Sequence, residues 1–183
     1  SSATHFLATT RSLGQRVEAT LLDRLAHPVA TLAAFPSQAG SGRGHGVASD
    51  GTDFAIAFAS NATGNTTTVR RVSAAGAFLD ADSFPVAPGT GNHSEPAIAY
   101  GAGNYLVTWS DDRGRAGTLD VWGARVSSQG AVLDTTSIAI SNPPGDQSQS
   151  SVAYEGDTAL VVWRDTRNDS SGDIFAARID GQG

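Results

Sequence analysis

The stretch Tyr105–Asp134, YLVTWSDDRGRAGTLDVWGARVSSQGAVLD, determines how the rest of the chain is interpreted. Its pieces recur further along, with Trp163 standing where Trp109 stands and Arg178 where Arg125 stands. The offset is about 54 residues, and one register holds across the unit with a single one-residue gap. A fixed period of this size indicates an array of structural repeats.

Two weaker copies of this unit precede the strong ones. In one of them Asp53–Ser60 takes the place of the strand that carries the tryptophan. In the other, Phe6–Thr9 stands for that strand, and Leu22-Asp23 stands for the Leu133-Asp134 pair. We divide the chain into units at approximately 1–43, 44–93, 94–148 and 149–183. On this division the first unit lacks its first strand and the last unit lacks its fourth.

Each full unit predicts four short antiparallel strands. The second strand is apolar on both faces, as an interior strand is, and the third alternates between apolar and polar residues. Gly-bearing turns separate the strands, which is the strongest short-range hairpin signal. Four strands in every unit are the signature of a β-propeller blade. We therefore predict an all-β chain, one domain over residues 1–183, of about 3.5–4 β-propeller blades; a β-sandwich or a flat solenoid is the alternative.

The strong copies also resemble a known group of proteins. The pattern W-x-D-x-R, then D-[VI]-[WF]-x-A-R-[VI]-x-x-x-G-x-x-L-D, is similar to repeats in large secreted bacterial proteins, notably from myxobacteria. The resemblance covers nearly the whole chain and is strong from about Ser94 onward. It implies a propeller fold and an extracellular location, and it transfers no catalytic residues.

Composition narrows the classes of partner. The 183-residue chain has a net charge of −6, and its 12 basic residues are all arginine without a basic run, which argues against nucleic acid. It has no cysteine for a disulfide or thiolate metal site, and no apolar run long enough to span a bilayer. A first residue other than Met agrees with removal of a signal peptide and hence with secretion. The expected partners are a glycan or protein ligand, further copies in a homo-oligomer, or the remainder of a larger chain.

The Asp-x-Arg after each tryptophan is the most conspicuous polar feature: Asp111 with Arg113, and Asp165 with Arg167. As a ligand-binding set, these residues would hold sugar hydroxyls or carboxylates, because a guanidinium group suits planar bidentate contacts. As scaffold, each pair would be an ion pair that fixes its loop. A polar pair repeated in each unit is more typical of scaffold than of a catalytic centre, yet both interpretations remain open.

The loop after the last tryptophan is a candidate calcium site. Its carboxylates Asp165, Asp169 and Asp173 could meet around Ca²⁺, an ion that takes six to eight oxygen ligands. The spacing does not match an EF-hand loop, and Arg167 sits among the acids. A solvated acidic loop is the alternative.

No catalytic residue is predicted. The four histidines fall at unmatched positions of the repeat, and the chain has no Gly-x-Ser-x-Gly nucleophile elbow. We therefore predict an extracellular, non-catalytic repeat module for ligand binding or assembly. The alternatives are a hydrolase of the sialidase or glycosidase type, with paired acids from different blades, and a purely structural repeat.

Overall fold

The computed structural model describes residues 5–11, 17–32, 44–60, 66–87, 91–115, 117–181 and 183. Within these ranges all regular structure is β, which confirms the predicted class. The strands are β1 (Phe6–Arg11), β2 (Val17–Leu22), β3 (Pro28–Thr31), β4 (His45–Ser49), β5 (Phe54–Ser60), β6 (Thr66–Val72), β7 (Phe84–Pro85), β8 (Ser94–Gly101), β9 (Asn104–Arg115), β10 (Thr118–Ser127), β11 (Ile138–Ser141), β12 (Gln147–Glu155), β13 (Thr158–Asp165) and β14 (Asp173–Ile179).

These strands form four antiparallel sheets in chain order. The orders are β1-β2-β3, β4-β5-β6-β7, β11-β10-β9-β8 and β12-β13-β14. The two middle sheets have the four strands predicted for a full unit. The first sheet begins with the strand that is second in those units, and the last ends with the strand that is third.

Strand pairing repeats from sheet to sheet. Trp109 on β9 lies opposite Trp122 on β10, and Trp163 on β13 lies opposite Phe175 on β14. Within the third sheet, β8 and β9 are joined by the short turn Ala102-Gly103, where both residues have positive φ. Two-residue turns of this kind match the twist of the strands they join.

The turn after each third strand also repeats. The Gly130 N–H donates to the Ser127 carbonyl at 2.9 Å, and the Gly183 N–H donates to the Asp180 carbonyl at 3.0 Å. Both glycines have φ near +90°. Glycine adopts this conformation at little steric cost because it has no Cβ. The predicted match of Gly183 with Gly130 is therefore confirmed.

The predicted alignment of the first copy is wrong at its turn. Segment Asp23–His27 closes the turn after β2 with the same backbone hydrogen bond that segment Ser73–Ala77 makes after β6. Leu22 therefore corresponds to Val72, the last residue of a third strand, and its pairing with the Leu-Asp sequence of the central unit was accidental. Ala26 takes the positive-φ position that glycine holds in the other units.

Successive sheets pack face to face through apolar side chains. On β9, Val107 and Trp109 pack toward the sheet β4–β7, while Leu106 packs toward the sheet β12–β14. A strand that contributes to two interfaces must be apolar on both faces. The doubly apolar second strand of the repeat thus reflects its place between two neighbouring sheets.

An arginine on the third strand of each middle sheet joins that sheet to the next one. It forms a 2.6 Å ion pair with an aspartate in its own sheet's following turn, and its Nη1 donates a 2.7 Å hydrogen bond to a backbone carbonyl of the next sheet. Charge-assisted bonds of this length are among the stronger ones in proteins. The residues are Arg71 with Asp80 and the Ser128 carbonyl, and Arg125 with Asp134 and the Gly181 carbonyl.

Gly101 lies where two sheets approach closely, and this position gives a testable prediction. A Cβ at Gly101 would lie 2.2 Å from Cγ of Tyr154 in the next sheet. We expect Gly101→Ala to lower the free energy of unfolding by about 1–3 kcal/mol, measured by urea denaturation, because overpacking forces the sheets apart. In a Tyr154→Ala background the same change should cost much less. Additive costs would show that the clash with Tyr154 is not the cause.

Candidate functional site

The Trp-Asp-x-Arg segment of β9 builds a buried polar cluster. Trp109, Asp111 and Arg113 are two residues apart, so their side chains lie on one face of the strand. The Asp111 carboxylate is fully buried. It accepts hydrogen bonds from Trp109 Nε1 at 2.8 Å and from the Arg113 backbone N–H at 3.0 Å, and it pairs with Arg113 Nη2 at 2.6 Å.

His93 completes this cluster and was not singled out from the sequence. Its ring stacks on Trp109 with centroids 5.5 Å apart, and its Nε2 lies 3.5 Å from Asp111 Oδ2. Its Nδ1 accepts a 3.1 Å hydrogen bond from the backbone N–H of Thr67 on β6, so the neutral ring carries its proton on Nε2. His93 therefore joins the second sheet to the third. The equivalent position in the last sheet is Gln147, the first residue of β12, so the repeat offered no second histidine that would have drawn attention to His93.

Burial sets the charge state of His93. Removal from water lowers the pKa of the His93 ring to about 4; Asp111 opposes this shift and Arg113 adds to it. Protonation would also place a proton on Nδ1, where the Thr67 N–H now donates. The ring is thus held neutral over the physiological range.

The last sheet contains a second cluster of the same design. Trp163 Nε1 donates to Asp165 at 3.0 Å, and Arg167 Nη2 lies 2.5 Å from the same carboxylate. Burial works to raise the pKa of Asp165, but hydrogen bonds from Arg167 and Trp163 outweigh it and lower that pKa to about 2. The Arg167 guanidinium lies 4.1 Å above the Phe175 ring, as that of Arg113 lies 4.6 Å from the Trp122 ring.

The four residues predicted as a ligand-binding set thus form two internal ion pairs. Asp111 and Asp165 are fully buried, whereas the side chains of Arg113 and Arg167 are 17% and 31% exposed. This is the arrangement expected of scaffold, because the carboxylates already accept bonds from their own sheet. Ligand binding by these four residues stays a prediction, and the exposed edges of the two arginines are the parts that solvent reaches.

The three predicted calcium ligands are not brought together. Asp165 lies in the buried cluster, whereas Asp169 accepts hydrogen bonds from the Ser171 and Gly172 backbone N–H groups and Asp173 accepts one from an asparagine. Among the described residues, no three acidic or histidine side chains are gathered closely enough to hold a metal ion. Calcium binding stays a prediction, and it would require this loop to rearrange.

A second group of polar residues lies near the start of the first strand in three neighbouring sheets. Gly44, Glu95 and Gln149 occupy the same position of the repeat, and all three have positive φ. In the third and fourth sheets the strand register shifts at this point, so each sheet has a bulge there. The Gln149 N–H donates to Glu95 Oε2 at 2.8 Å, linking neighbouring bulges.

These bulges border a depression of about 350 Å³, which we call the rim site. It is lined by Gly44, Glu95, Pro96, Gln149 and Ser150. Bulges often re-aim side chains next to functional sites. Glu95 did not stand out in the sequence, because it lies in a polar linker and no neighbouring copy has an acid at that position.

Comparisons with solved structures identify the architecture. An α-L-arabinofuranosidase from Lactobacillus brevis matches all of this chain over 66% of its own, with a TM-score of 0.59 and 12% identity. A subtype N10 neuraminidase-like protein of A/little yellow-shouldered bat matches all of it over 54%, with a TM-score of 0.63 and 12% identity. The GH43 endo-arabinanase from Bacillus licheniformis matches all of it over 73%, with a TM-score of 0.57 and 13% identity.

The present chain therefore spans about half to three quarters of the length of these proteins. No family model and no curated protein matches the sequence. In the described part of the chain, no helix has the length and apolar character needed to cross a membrane. At 12–13% identity the likeness concerns the fold alone, and with the four successive antiparallel sheets it shows that this chain has a β-propeller fold.

Proposed function

We propose that the protein is an extracellular, non-catalytic propeller module that binds a glycan. The proposal that the module is non-catalytic rests on the two matching clusters around Asp111 and Asp165. Each carboxylate is buried and accepts bonds from its own Trp and Arg, and a cluster repeated with the same bonds in two sheets acts as scaffold. The extracellular location rests on the resemblance of the repeat to those of secreted bacterial proteins.

The rim site is the proposed place of binding. Glu95 supplies a carboxylate at an open depression, and a carboxylate accepts hydrogen bonds from sugar hydroxyls, whereas the buried Ser150 hydroxyl is already bonded to Thr108. The structural neighbours named arabinanase, arabinofuranosidase and neuraminidase-like support a glycan as the ligand class. The depression lies where neighbouring sheets meet, which is a common position for binding sites.

Binding to a panel of soluble glycans, measured by isothermal titration calorimetry, tests this proposal. We expect saturable binding of an arabinan fragment or a sialylated oligosaccharide, and at least a tenfold loss of affinity in Glu95→Ala, because one charge-assisted hydrogen bond contributes about 1.5–3 kcal/mol. Asp157→Ala, in the exposed β12–β13 turn, is the matched control and should bind as the unaltered chain does. If no glycan binds, the proposal is wrong.

A hydrolase of the glycosidase type is the second candidate. It is favoured by the activities named for the structural neighbours and by the Glu95 carboxylate at an open rim. Under our first proposal, chromogenic arabinofuranosides and sialosides are expected to show no turnover above the buffer blank. Turnover that disappears in Glu95→Gln, a change that keeps the bond from the Gln149 N–H, would make hydrolysis the function.

A further inference from the structure

The last sheet exposes a broad apolar surface. We call this surface the trailing face; it consists of the side chains on the side of the last sheet that points away from the sheet before it. Ile174 is 76% exposed and Leu160 is 48% exposed. Strand pairing places further side chains on the same side, namely those of Ala153, Val162, Arg164, Ala176 and Arg178.

The equivalent surface one sheet earlier is covered. Leu106 and Val121 stand in the third sheet where Leu160 and Ile174 stand in the fourth, and both are completely buried against the last sheet. Leucine occupies the first position in both sheets and a β-branched aliphatic residue the second, so the difference in exposure lies in what covers them. The trailing face thus has the composition of a sheet-to-sheet interface rather than of a solvated surface.

Arg178 indicates the geometry of the missing contact. It is the third arginine in the series of Arg71 and Arg125, each of which donates from Nη1 to a carbonyl in the turn of the next sheet at 2.7 Å. Arg178 is exposed and borders a depression of about 480 Å³ on the trailing face, beside Tyr154. A partner that fits must therefore offer apolar side chains and a turn carbonyl at the corresponding place.

The first sheet of the same chain offers such a surface, which we call the leading face. Phe6 is 57% exposed and lies opposite Leu22 across β1 and β2, where the later sheets place Tyr105 and Val126. The turn after β2 makes the same backbone bond as the turns that supply the Ser128 and Gly181 carbonyls, and it places the Arg24 carbonyl at the equivalent position.

The charges of the two faces are complementary as well. Glu18 lies on the leading face, opposite Thr10, whereas the trailing face carries two arginines, Arg164 and Arg178, and one acid, Glu155. Pairs of opposite charge across an interface favour the correct partner over others. A contact between two leading faces or two trailing faces would lack this match.

We infer that the trailing face of one chain binds the leading face of a second copy. The contact is heterologous, since different surfaces meet. The copies form a closed ring if the rotation from one copy to the next allows closure, and an open array if it does not. Arg178 then donates to the Arg24 carbonyl of the second copy. This inference is independent of glycan binding at the rim site, and either one can fail without the other.

Light scattering coupled to size-exclusion chromatography tests the inference. The chain has a mass of 18.7 kDa. We expect a mass of twice this value or a higher multiple, which falls to that of one chain in Ile174→Glu and also in Phe6→Glu. Both side chains are exposed in the isolated chain, so neither change should impair folding, and circular dichroism checks that. Leu79→Glu, an exposed position on neither face, should leave the assembly unchanged.

A mixture of the two variants tests whether the contact joins the two different faces. Phe6→Glu keeps an intact trailing face and Ile174→Glu keeps an intact leading face, so a mixture should recover association that neither variant shows alone. Arg178→Gln is expected to raise the dissociation constant about tenfold through loss of one charge-assisted hydrogen bond. A mass of one chain for the unaltered protein at its highest soluble concentration would overturn the inference. So would an assembly that Ile174→Glu leaves intact.

Discussion

Replacing Trp109 with alanine is expected to lower the free energy of unfolding by roughly 3–5 kcal/mol, because the change leaves a large cavity between two packed sheets. Trp109 is completely buried in the core shared by the second and third sheets. The change also removes the indole N–H that donates to Asp111, and a buried carboxylate that loses a donor adds to the cost. Equilibrium denaturation in urea, followed by fluorescence and circular dichroism, measures the loss.

Two further variants control this prediction. Trp109→Phe should cost less than Trp109→Ala, because Phe58 fills the equivalent position in the preceding sheet. Trp163→Ala is expected to fall in the same range of roughly 3–5 kcal/mol, since Trp163 is only 4% exposed. A loss below about 1 kcal/mol at either tryptophan is typical of a surface position and would contradict the core placement.

The second prediction with a large effect is a loss of folding stability in acid, caused by His93. The pKa of His93 is about 4 in the folded chain against 6.5 for a free histidine, so between these pH values the unfolded chain binds the proton and the folded chain does not. The stability that neutral His93 contributes is therefore fully present above pH 6.5 and is lost as the pH drops toward 4. The expected loss is about 3 kcal/mol, from a shift of about 2.5 pKa units. Urea denaturation at pH 7.5, 6, 5 and 4.5 measures it.

His93→Gln is the matched variant for this effect. Gln147 holds the equivalent place in the last sheet, and a glutamine amide can accept from the Thr67 N–H without titrating. The variant should lose most of the pH dependence between 6.5 and 4, and an unchanged pH profile would show that His93 is not its source. Asp165, with its pKa lowered to about 2, contributes stability that is lost only below about pH 4, so the two windows are separate.

The candidate sites were accessible to sequence reasoning to different degrees. The scaffold interpretation predicted an ion pair between Asp111 and Arg113, and the structure contains it. The prediction that these two residues lie in a loop was wrong, because β9 continues to Arg115. His93 and Glu95 were missed, because each acts through a residue of a neighbouring sheet, Thr67 and Gln149. Such contacts leave no periodic signal in the chain.

In the first copy, alignment by sequence similarity gave the wrong register. Leu22-Asp23 resembled the Leu-Asp pair of the central unit, yet the backbone bond from Asp23 to His27 places Leu22 at the end of a third strand. Two residues carry too little information to set a register when the tryptophan and the Asp-x-Arg are both missing. Where those residues are present, in the last two units, the predicted register was correct.

The sequence by itself determined the β class, the four-strand unit and the register of the strong copies, because strand alternation and turn residues act over a few neighbouring positions. Only the tertiary structure decided what covers each sheet. Leu106 and Leu160, or Arg125 and Arg178, are the same residue types at the same place in the repeat, yet one of each pair is packed under a neighbouring sheet and the other faces solvent. Burial depends on contacts between sheets about 54 residues apart, and no local pattern encodes whether that neighbour is present.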